Sequence, residues 1–205
     1  MKHKRSFVWV FIACLGLVAC SSKAQNATSQ NRDEQTVLIV YLSRTGNTEA
    51  VAELIQQRVG GTLVALELET PYPKDYDAIV KQVAEENERG FLPPLKTEID
   101  VEKYDIIFLG FPTWGMQLPP PMKSFLHRYE LSGKTVVPFN TNAGYGVGSS
   151  FATVKALCPD ANILEGFSIK GGIERDGILL VMEGEKAEAA EAKVVKWLQE
   201  IEMIE

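Results

Sequence analysis

The chain has 205 residues, of which 45% are hydrophobic and 23% are charged, and its formal net charge is −6. This composition is typical of a globular protein and excludes an intrinsically disordered chain, a collagen and a multi-span membrane protein. Two of the three cysteines, Cys14 and Cys20, lie within the first twenty residues. The rest of the chain contains only Cys158 and therefore has no partner for an internal disulfide.

The first twenty residues have the pattern of an export signal. Three basic residues precede an apolar run, Phe7 to Ala19, that is too short for a permanent membrane span. Residues 17–20 resemble the lipobox of bacterial lipoproteins, which implies that residues 1–19 are a signal peptide and that Cys20 is lipidated. Ordinary secretory cleavage after Ala19 is the alternative. The lipobox interpretation predicts a protein that is anchored by lipid to a bacterial membrane in the cell envelope.

Residues 20–35 are predicted to be a flexible tether. After Cys20, this segment has no aromatic residue and no aliphatic side chain larger than alanine, so it cannot contribute to a core. Loss of residues 1–19 removes three positive charges and changes the net charge from −6 to −9. This charge argues against binding to nucleic acid, whose phosphates the protein would repel. A negative net charge favours contact with basic surfaces of a partner protein, although acidic proteins are often acidic only because charge keeps them soluble.

The chain from Thr36 to Glu205 alternates short apolar runs with longer amphipathic stretches. This pattern predicts parallel strands joined by crossover helices, and hence an open α/β sheet. The predicted strands cover residues 37–42, 63–68, 104–111, 135–140 and 163–169. The predicted helices cover residues 48–59, 76–83, 119–129, 149–157 and 185–201.

Two stretches fit this pattern less well. Pro138 lies within the fourth predicted strand, although proline removes a donor from a sheet ladder. Residues 178–182 are apolar and strand-like but follow the fifth predicted strand closely. An edge hairpin with the end of that strand is one arrangement for this run.

Ligands of open parallel sheets bind beyond the carboxyl ends of the strands, so the loops there are the first candidates for a site. The loop after the first strand, Ser43 to Thr48, has three hydroxyl side chains, an amide and a glycine, and a predicted helix begins behind it. Free N–H groups at the start of that helix favour a phosphate. A helix cap made by Ser43 or Thr45 is the alternative. The loop has neither the Gly-Lys-Ser/Thr of ATP sites nor the three glycines of dinucleotide sites.

Three loops resemble those of flavodoxins. The sequence Ser-Arg-Thr-Gly-Asn-Thr at residues 43–48 resembles the flavodoxin phosphate loop. Gly110 to Met116 and Asn140 to Gly146, which follow the third and fourth predicted strands, are similar to the two loops that hold the flavin ring. The resemblance spans residues 36–205. It implies a flavodoxin-like three-layer open α/β sheet of five parallel strands in the order 2-1-3-4-5, with FMN as cofactor.

The resemblance also assigns the residues that bind the cofactor. They are Ser43, Arg44, Thr45, Gly46, Asn47, Thr48, Pro112, Thr113, Trp114, Gly115, Met116, Thr141, Asn142, Gly144, Tyr145 and Gly146. In this assignment Trp114 and Tyr145 stack on the two faces of the flavin ring, as flat aromatic side chains do on a flat apolar ligand. A structural aromatic without contact to a ligand is the alternative for each.

The resemblance implies an FMN-binding electron-transfer protein tethered to the envelope membrane. Its partners are then redox proteins or small acceptors such as quinones. Two alternatives stay open, namely an FMN oxidoreductase linked to NAD(P)H or quinones and a flavin-free binding domain of the same fold. After Cys20 the chain has one histidine, His127, and one cysteine, Cys158, which are too few for a metal cluster or a persuasive Cys–His pair. We therefore predict a surface or packing role for His127, a buried position for Cys158 and a catalytic role for neither.

Overall fold

The strands of the protein form one parallel sheet. The computed structural model describes residues 35–205; the predicted signal peptide, Cys20 and residues 20–34 of the predicted tether lie outside the described residues. The strands are β1 (Val37–Tyr41), β2 (Thr62–Ala65), β3 (Ile106–Pro112), β4 (Thr135–Asn142), β5 (Asn162–Ile163) and β6 (Phe167–Lys170). Their order is β2-β1-β3-β4-β5, with β6 also paired to β4, which confirms the predicted order 2-1-3-4-5.

Within residues 35–205, four α-helices connect these strands and a fifth follows β6. They are α1 (Asn47–Val59), α2 (Tyr76–Arg89), α3 (Pro120–Arg128), α4 (Ser150–Leu157) and α5 (Glu185–Glu200). Helix α1 ends at Gly60, which has a φ of 71°, as the paired glycines predict. Helix α3 begins with proline, whose missing N–H costs little in the first turn. Among the helices of residues 35–205, none is both long enough and apolar enough to cross a membrane.

The sheet separates two hydrophobic clusters. Successive residues of β1 alternate between them, with Leu38 on one face and Ile39 on the other, and both are fully buried. Helices α3 and α4 cover the first face, and α1 and α5 cover the second. The central strands are therefore buried on both faces, which explains their uninterrupted apolar sequences.

The predicted fifth strand is interrupted in the structure. Strand β5 pairs with β4 as far as Ile163 with Val136, and β6 resumes the pairing at Phe167 with Phe139. Pro138 lies opposite this break, where the sheet needs no N–H donor from β4. The proline is therefore compatible with an interior strand because its neighbour is discontinuous there.

Residues 178–182 do not form an edge hairpin with the end of the fifth predicted strand. The only β contact of this run within the described residues is an isolated antiparallel bridge between Ile173 and Ile178, closed by a 3.1 Å bond from Ile178 N to Ile173 O. The side chains of residues 178–180 stay exposed. The run is an extended segment whose polar backbone groups find partners elsewhere.

Candidate functional site

A cleft of about 620 Å³ opens at the carboxyl ends of β1, β3 and β4. Its volume lies within the range of small-molecule sites in proteins. The loops after these three strands all contribute residues to its lining. The position agrees with the rule that parallel sheets bind ligands at this edge.

The loop after β1 leads directly into the first turn of α1. Gly46 is the residue before the helix and has a φ of 81°, a left-handed conformation that glycine adopts without steric cost. The first backbone bond of the turn runs from Ala50 N to Gly46 O at 2.9 Å. The N–H groups before Ala50 thus have no acceptor within the helix, and no side chain caps them. The alternative of a cap by Ser43 or Thr45 is therefore wrong.

The hydroxyl of Ser43 is buried without a hydrogen-bond partner in the described structure. A buried hydroxyl of this kind carries a free-energy penalty unless a ligand or water supplies the missing bond. In the same loop, Thr48 Oγ1 lies 2.8 Å from Thr141 Oγ1 of β4, and both side chains are almost fully buried. The free N–H groups of α1 are suited to hold an anionic group, and the unpartnered hydroxyl of Ser43 begins the loop that leads to them.

The side chain of Arg44, by contrast, already has partners within the protein. Its Nε donates to Glu174 Oε1 at 2.7 Å, and its terminal nitrogens donate to Pro73 O at 2.8 Å and Lys74 O at 2.6 Å. Arg44 thus connects the first loop to Glu174, which lines the cleft, and to residues 73–74, which precede α2.

The loop after β3 contains a tight turn at residues 114–117. Trp114 and Gln117 exchange backbone hydrogen bonds of 3.3 and 3.0 Å across it. Gly115 and Met116 both have positive φ, 57° and 59°, so a non-glycine residue occupies the left-handed region here. The backbone N–H of Ser149, just before α4, donates to Met116 O at 3.0 Å and so supports the turn.

The loop after β4 is organised by asparagine side chains. Asn140, fully buried, donates to Phe111 O and Thr113 Oγ1, both at 3.0 Å, and so ties this loop to the preceding one. Asn142 Oδ1 accepts from the backbone N–H groups of Gly144 at 2.8 Å and Gly146 at 3.1 Å. Tyr145 stands at the tip of the loop and is 68% exposed at the mouth of the cleft.

Helix α2 provides a further wall that the sequence did not indicate. One face of this helix lines the cleft with Tyr76, Ile79, Val80, Val83, Ala84, Asn87 and Glu88. Ile79 and Val83 are buried, yet neither belongs to the two clusters that flank the sheet. Helix α2 therefore buries its apolar face toward the cleft and α3 rather than against the sheet.

Two polar contacts fix α2 in this position. Tyr72, just before the helix, donates its hydroxyl proton to the buried carboxylate of Glu86. Burial, followed by this hydrogen bond, raises the pKa of Tyr72 well above its usual value. Lys123 of α3 donates to Asn87 Oδ1 at 2.8 Å, and burial lowers the pKa of this lysine.

The sequence model of the flavodoxin family matches residues 36–184. The chain belongs to the flavodoxin family. It is 29% identical to a candidate flavoprotein of known structure from Bacteroides eggerthii, with a TM-score of 0.65 over 82% of this chain and 98% of that chain.

Two further solved structures share the flavodoxin fold. A candidate flavoprotein from Bacteroides uniformis is 22% identical, with a TM-score of 0.65 over 80% of this chain and 98% of that chain. A flavoprotein from Lactobacillus acidophilus, solved in complex with FMN, is 22% identical, with a TM-score of 0.58 over 70% and 98% of the two chains.

The flavodoxin fold brings the three predicted loops of this chain together. Of the residues that the resemblance assigns to cofactor binding, all line the cleft except Ser43, Gly46 and Gly144, which lie within the same loops. Sequence reasoning missed α2 and residues 171–175, which also line it. The resulting cleft is lined by hydrogen-bond donors and by apolar and aromatic side chains, an arrangement suited to a planar ligand with an anionic end.

Neither His127 nor Cys158 lines the cleft. His127 is exposed on α3, and Cys158 is 6% exposed at the end of α4. Burial, with a smaller effect of Glu130, raises the pKa of the Cys158 thiol to about 11, so it is unreactive at neutral pH. Within residues 35–205 no group of three or more acidic, histidine or cysteine side chains is arranged to hold a metal ion.

Proposed function

We propose that this member of the flavodoxin family binds FMN and transfers electrons. The observation that supports FMN best is the buried, unpartnered hydroxyl of Ser43, which begins the loop that leads to the free N–H groups of α1. A phosphate offers acceptors to such donors, and the positive end of the helix dipole favours its charge. The FMN complex of the Lactobacillus flavoprotein, which shares the fold, supports the same nucleotide.

The remaining loops suit the isoalloxazine ring. Trp114 lines the cleft on the loop after β3 and Tyr145 on the loop after β4, so that their rings would hold a flat ligand by stacking and burial. Residues 114–117, the turn in the loop after β3, also line the cleft, and their backbone groups would address the polar edge of the ring. Bound FMN would supply one- and two-electron chemistry, while the protein positions it and limits its contact with water.

The amino-terminal segment suggests where this function takes place. We propose that residues 1–19 direct export and that lipidated Cys20 anchors the protein to an envelope membrane through the tether of residues 20–35. Redox proteins or small acceptors such as quinones are then the partners. The acidic character of the chain favours partners with basic surfaces and disfavours nucleic acid.

The α2 wall favours a second candidate function. Ile79, Val80 and Val83 give the cleft an apolar side that a simple carrier, which needs only an exposed flavin edge, does not require. An apolar side of this kind suits a small planar substrate such as a quinone or a nicotinamide. An FMN-dependent oxidoreductase is therefore the alternative to an electron carrier.

Purification and spectroscopy test both functions. We expect the purified protein to show the visible absorbance bands of a flavin, or to acquire them with added FMN, and to release FMN on denaturation. Failure to bind added FMN would contradict the proposal and leave a flavin-free binding domain. Titration of the FMN-loaded protein with NADH, NADPH and quinones then separates the two roles, because only the oxidoreductase turns these compounds over catalytically.

A further inference from the structure

Residues 171–182, which we call the strap, lie across the loop that follows β1. The strap begins where β6 ends, with Gly171 N donating to Asn142 O at 2.8 Å, and it is anchored at its other end by the buried Met182. Between these ends it contacts the first loop repeatedly. Its opening part, Gly171 to Arg175, also lines the cleft.

Asn47 makes the central contact with the strap. Its Nδ2 donates to Leu179 O at 2.7 Å and to Thr45 Oγ1 at 2.8 Å, and its Oδ1 accepts from Val181 N at 3.0 Å. A side-chain amide has two N–H donors, and both are used within the protein. Asn47 is 3% exposed and therefore has no free donor to offer a phosphate oxygen.

Two other pairs hold the strap at the same place. A side chain at Gly46 would meet Leu180 Cδ1 at 3.3 Å, so the leucine packs directly on this glycine. Arg44 and Glu174 form an ion pair of 2.7 Å between half-buried side chains. These contacts join residues that are about 130 positions apart in the chain.

We propose that Asn47 is a positioning residue that latches the strap onto the phosphate loop, and that this latch slows the release of FMN. Ser43 and the backbone N–H groups of α1 are left to bind the phosphate itself. The inference rests on the proposed function only where FMN is concerned, because the latch is a property of the protein without flavin. It assigns to Asn47 a role different from the direct cofactor contact that the resemblance to flavodoxins implies.

Hydrogen exchange on the full chain without flavin tests the latch. Replacing Asn47 by Ala removes the acceptor of the Val181 N–H and the donor to Leu179 O. We expect exchange of the strap amides, Val181 above all, to become about tenfold faster or more, as the loss of two or three hydrogen bonds implies. Asn162→Ala is the control, since Asn162 lies on β5 and makes only a 3.4 Å contact to Thr135; exchange of the strap should not change in this variant.

FMN dissociation, followed by the fluorescence of the released flavin, tests the functional consequence. We expect faster release both from Asn47→Ala and from the strap-side double variant Glu174→Gln/Leu180→Ala, which leaves the first loop unaltered. Unchanged strap exchange in Asn47→Ala would overturn the latch. Faster FMN release from Asn47→Ala but not from the strap-side variant would instead identify Asn47 as a direct ligand and also overturn it. If the wild-type protein does not bind FMN, the proposed function fails, while the exchange result still decides whether the latch exists.

Discussion

The indole ring of Trp114 and the phenol ring of Tyr72 meet edge to face, with 5.5 Å between their centroids and an angle of 87° between their planes. Aromatic pairs of this geometry stabilise each other beyond the area that they bury. Tyr72 is fixed in turn by its hydrogen bond to the buried Glu86 of α2. Trp114, which lines the cleft, is therefore oriented by a residue whose own position depends on α2.

Tyr72→Phe tests this arrangement. The substitution keeps the ring but removes the hydroxyl donor, which leaves the buried Glu86 carboxylate with Gln82 as its remaining side-chain partner. We expect the free energy of unfolding to fall by about 1.5–3 kcal/mol, the usual value for a hydrogen bond to a charged group. Denaturant unfolding provides the measurement. Tyr76→Phe is the control, because the hydroxyl of Tyr76 makes no hydrogen bond within residues 35–205. Its free energy of unfolding should change by less than about 0.5 kcal/mol.

Gly148→Ala tests the support of the turn at residues 114–117. A Cβ at position 148 would lie 2.0 Å from Met116 O, a backbone atom that cannot move without displacing the turn. Gly133→Ala is the matched control, because Gly133 also has a positive φ, 75°, but has no atom within 4 Å of the added methyl. In Gly133→Ala, the free energy of unfolding should fall only by the cost of placing an alanine in the left-handed region, about 1–2 kcal/mol.

We expect Gly148→Ala to destabilise the protein by more than Gly133→Ala and to weaken FMN binding as well. Thermal unfolding and flavin titration measure the two effects. Equal destabilisation of both variants with unchanged FMN affinity would show that the turn tolerates the displacement.

The buried thiol of Cys158 predicts how stability depends on alkaline pH. Burial raises its pKa from 9.0 to about 11, so between these values the folded protein keeps a proton that the unfolded chain releases. The contribution of the protonated Cys158 thiol to the free energy of unfolding is fully present below pH 9. It is lost as the pH rises toward 11. The wild-type protein should therefore lose more stability across this interval than Cys158→Ala. The difference between their unfolding curves at several pH values measures the effect, and parallel pH profiles would contradict it.

The sequence was sufficient to predict the central strands and the loops that follow them. Strands β1 and β3 are buried on both faces, and a short continuous apolar run such as residues 106–109 is typical of strands in that position. Because parallel strands end at one edge of the sheet, their loops were expected to converge, and they do. The helix stop at Gly60 was equally visible, since its conformation favours glycine.

The strap and the α2 wall could not be predicted in the same way. The apolar run at residues 178–182 resembles a strand, but its backbone is paired by the side chain of Asn47, and no local pattern reveals so distant a partner. Ile79, Val80 and Val83 have the spacing of any amphipathic helix, and periodicity does not show whether the apolar face meets a sheet or a cleft. The sequence around Pro138 likewise does not show why a proline is tolerated there. The reason is the interruption between β5 and β6, the strands that lie beside β4.

In the proposed function, the loop after β1 binds the phosphate of FMN through donors that the protein itself leaves unused. Ser43 and Ser150 are the two described residues with a buried, unpartnered side-chain hydroxyl, but Ser150 lies at the start of α4, outside the phosphate loop. Removing either hydroxyl should not destabilise the flavin-free protein, because no hydrogen bond is lost.

The most direct measurement is the FMN dissociation constant of Ser43→Ala beside that of Ser150→Ala. Loss of a hydrogen bond to a charged phosphate predicts an increase of about tenfold to a hundredfold for Ser43→Ala. Ser150→Ala should bind FMN as the wild-type protein does. Equal affinity of Ser43→Ala and wild type, with both variants folded, would contradict phosphate binding by this loop.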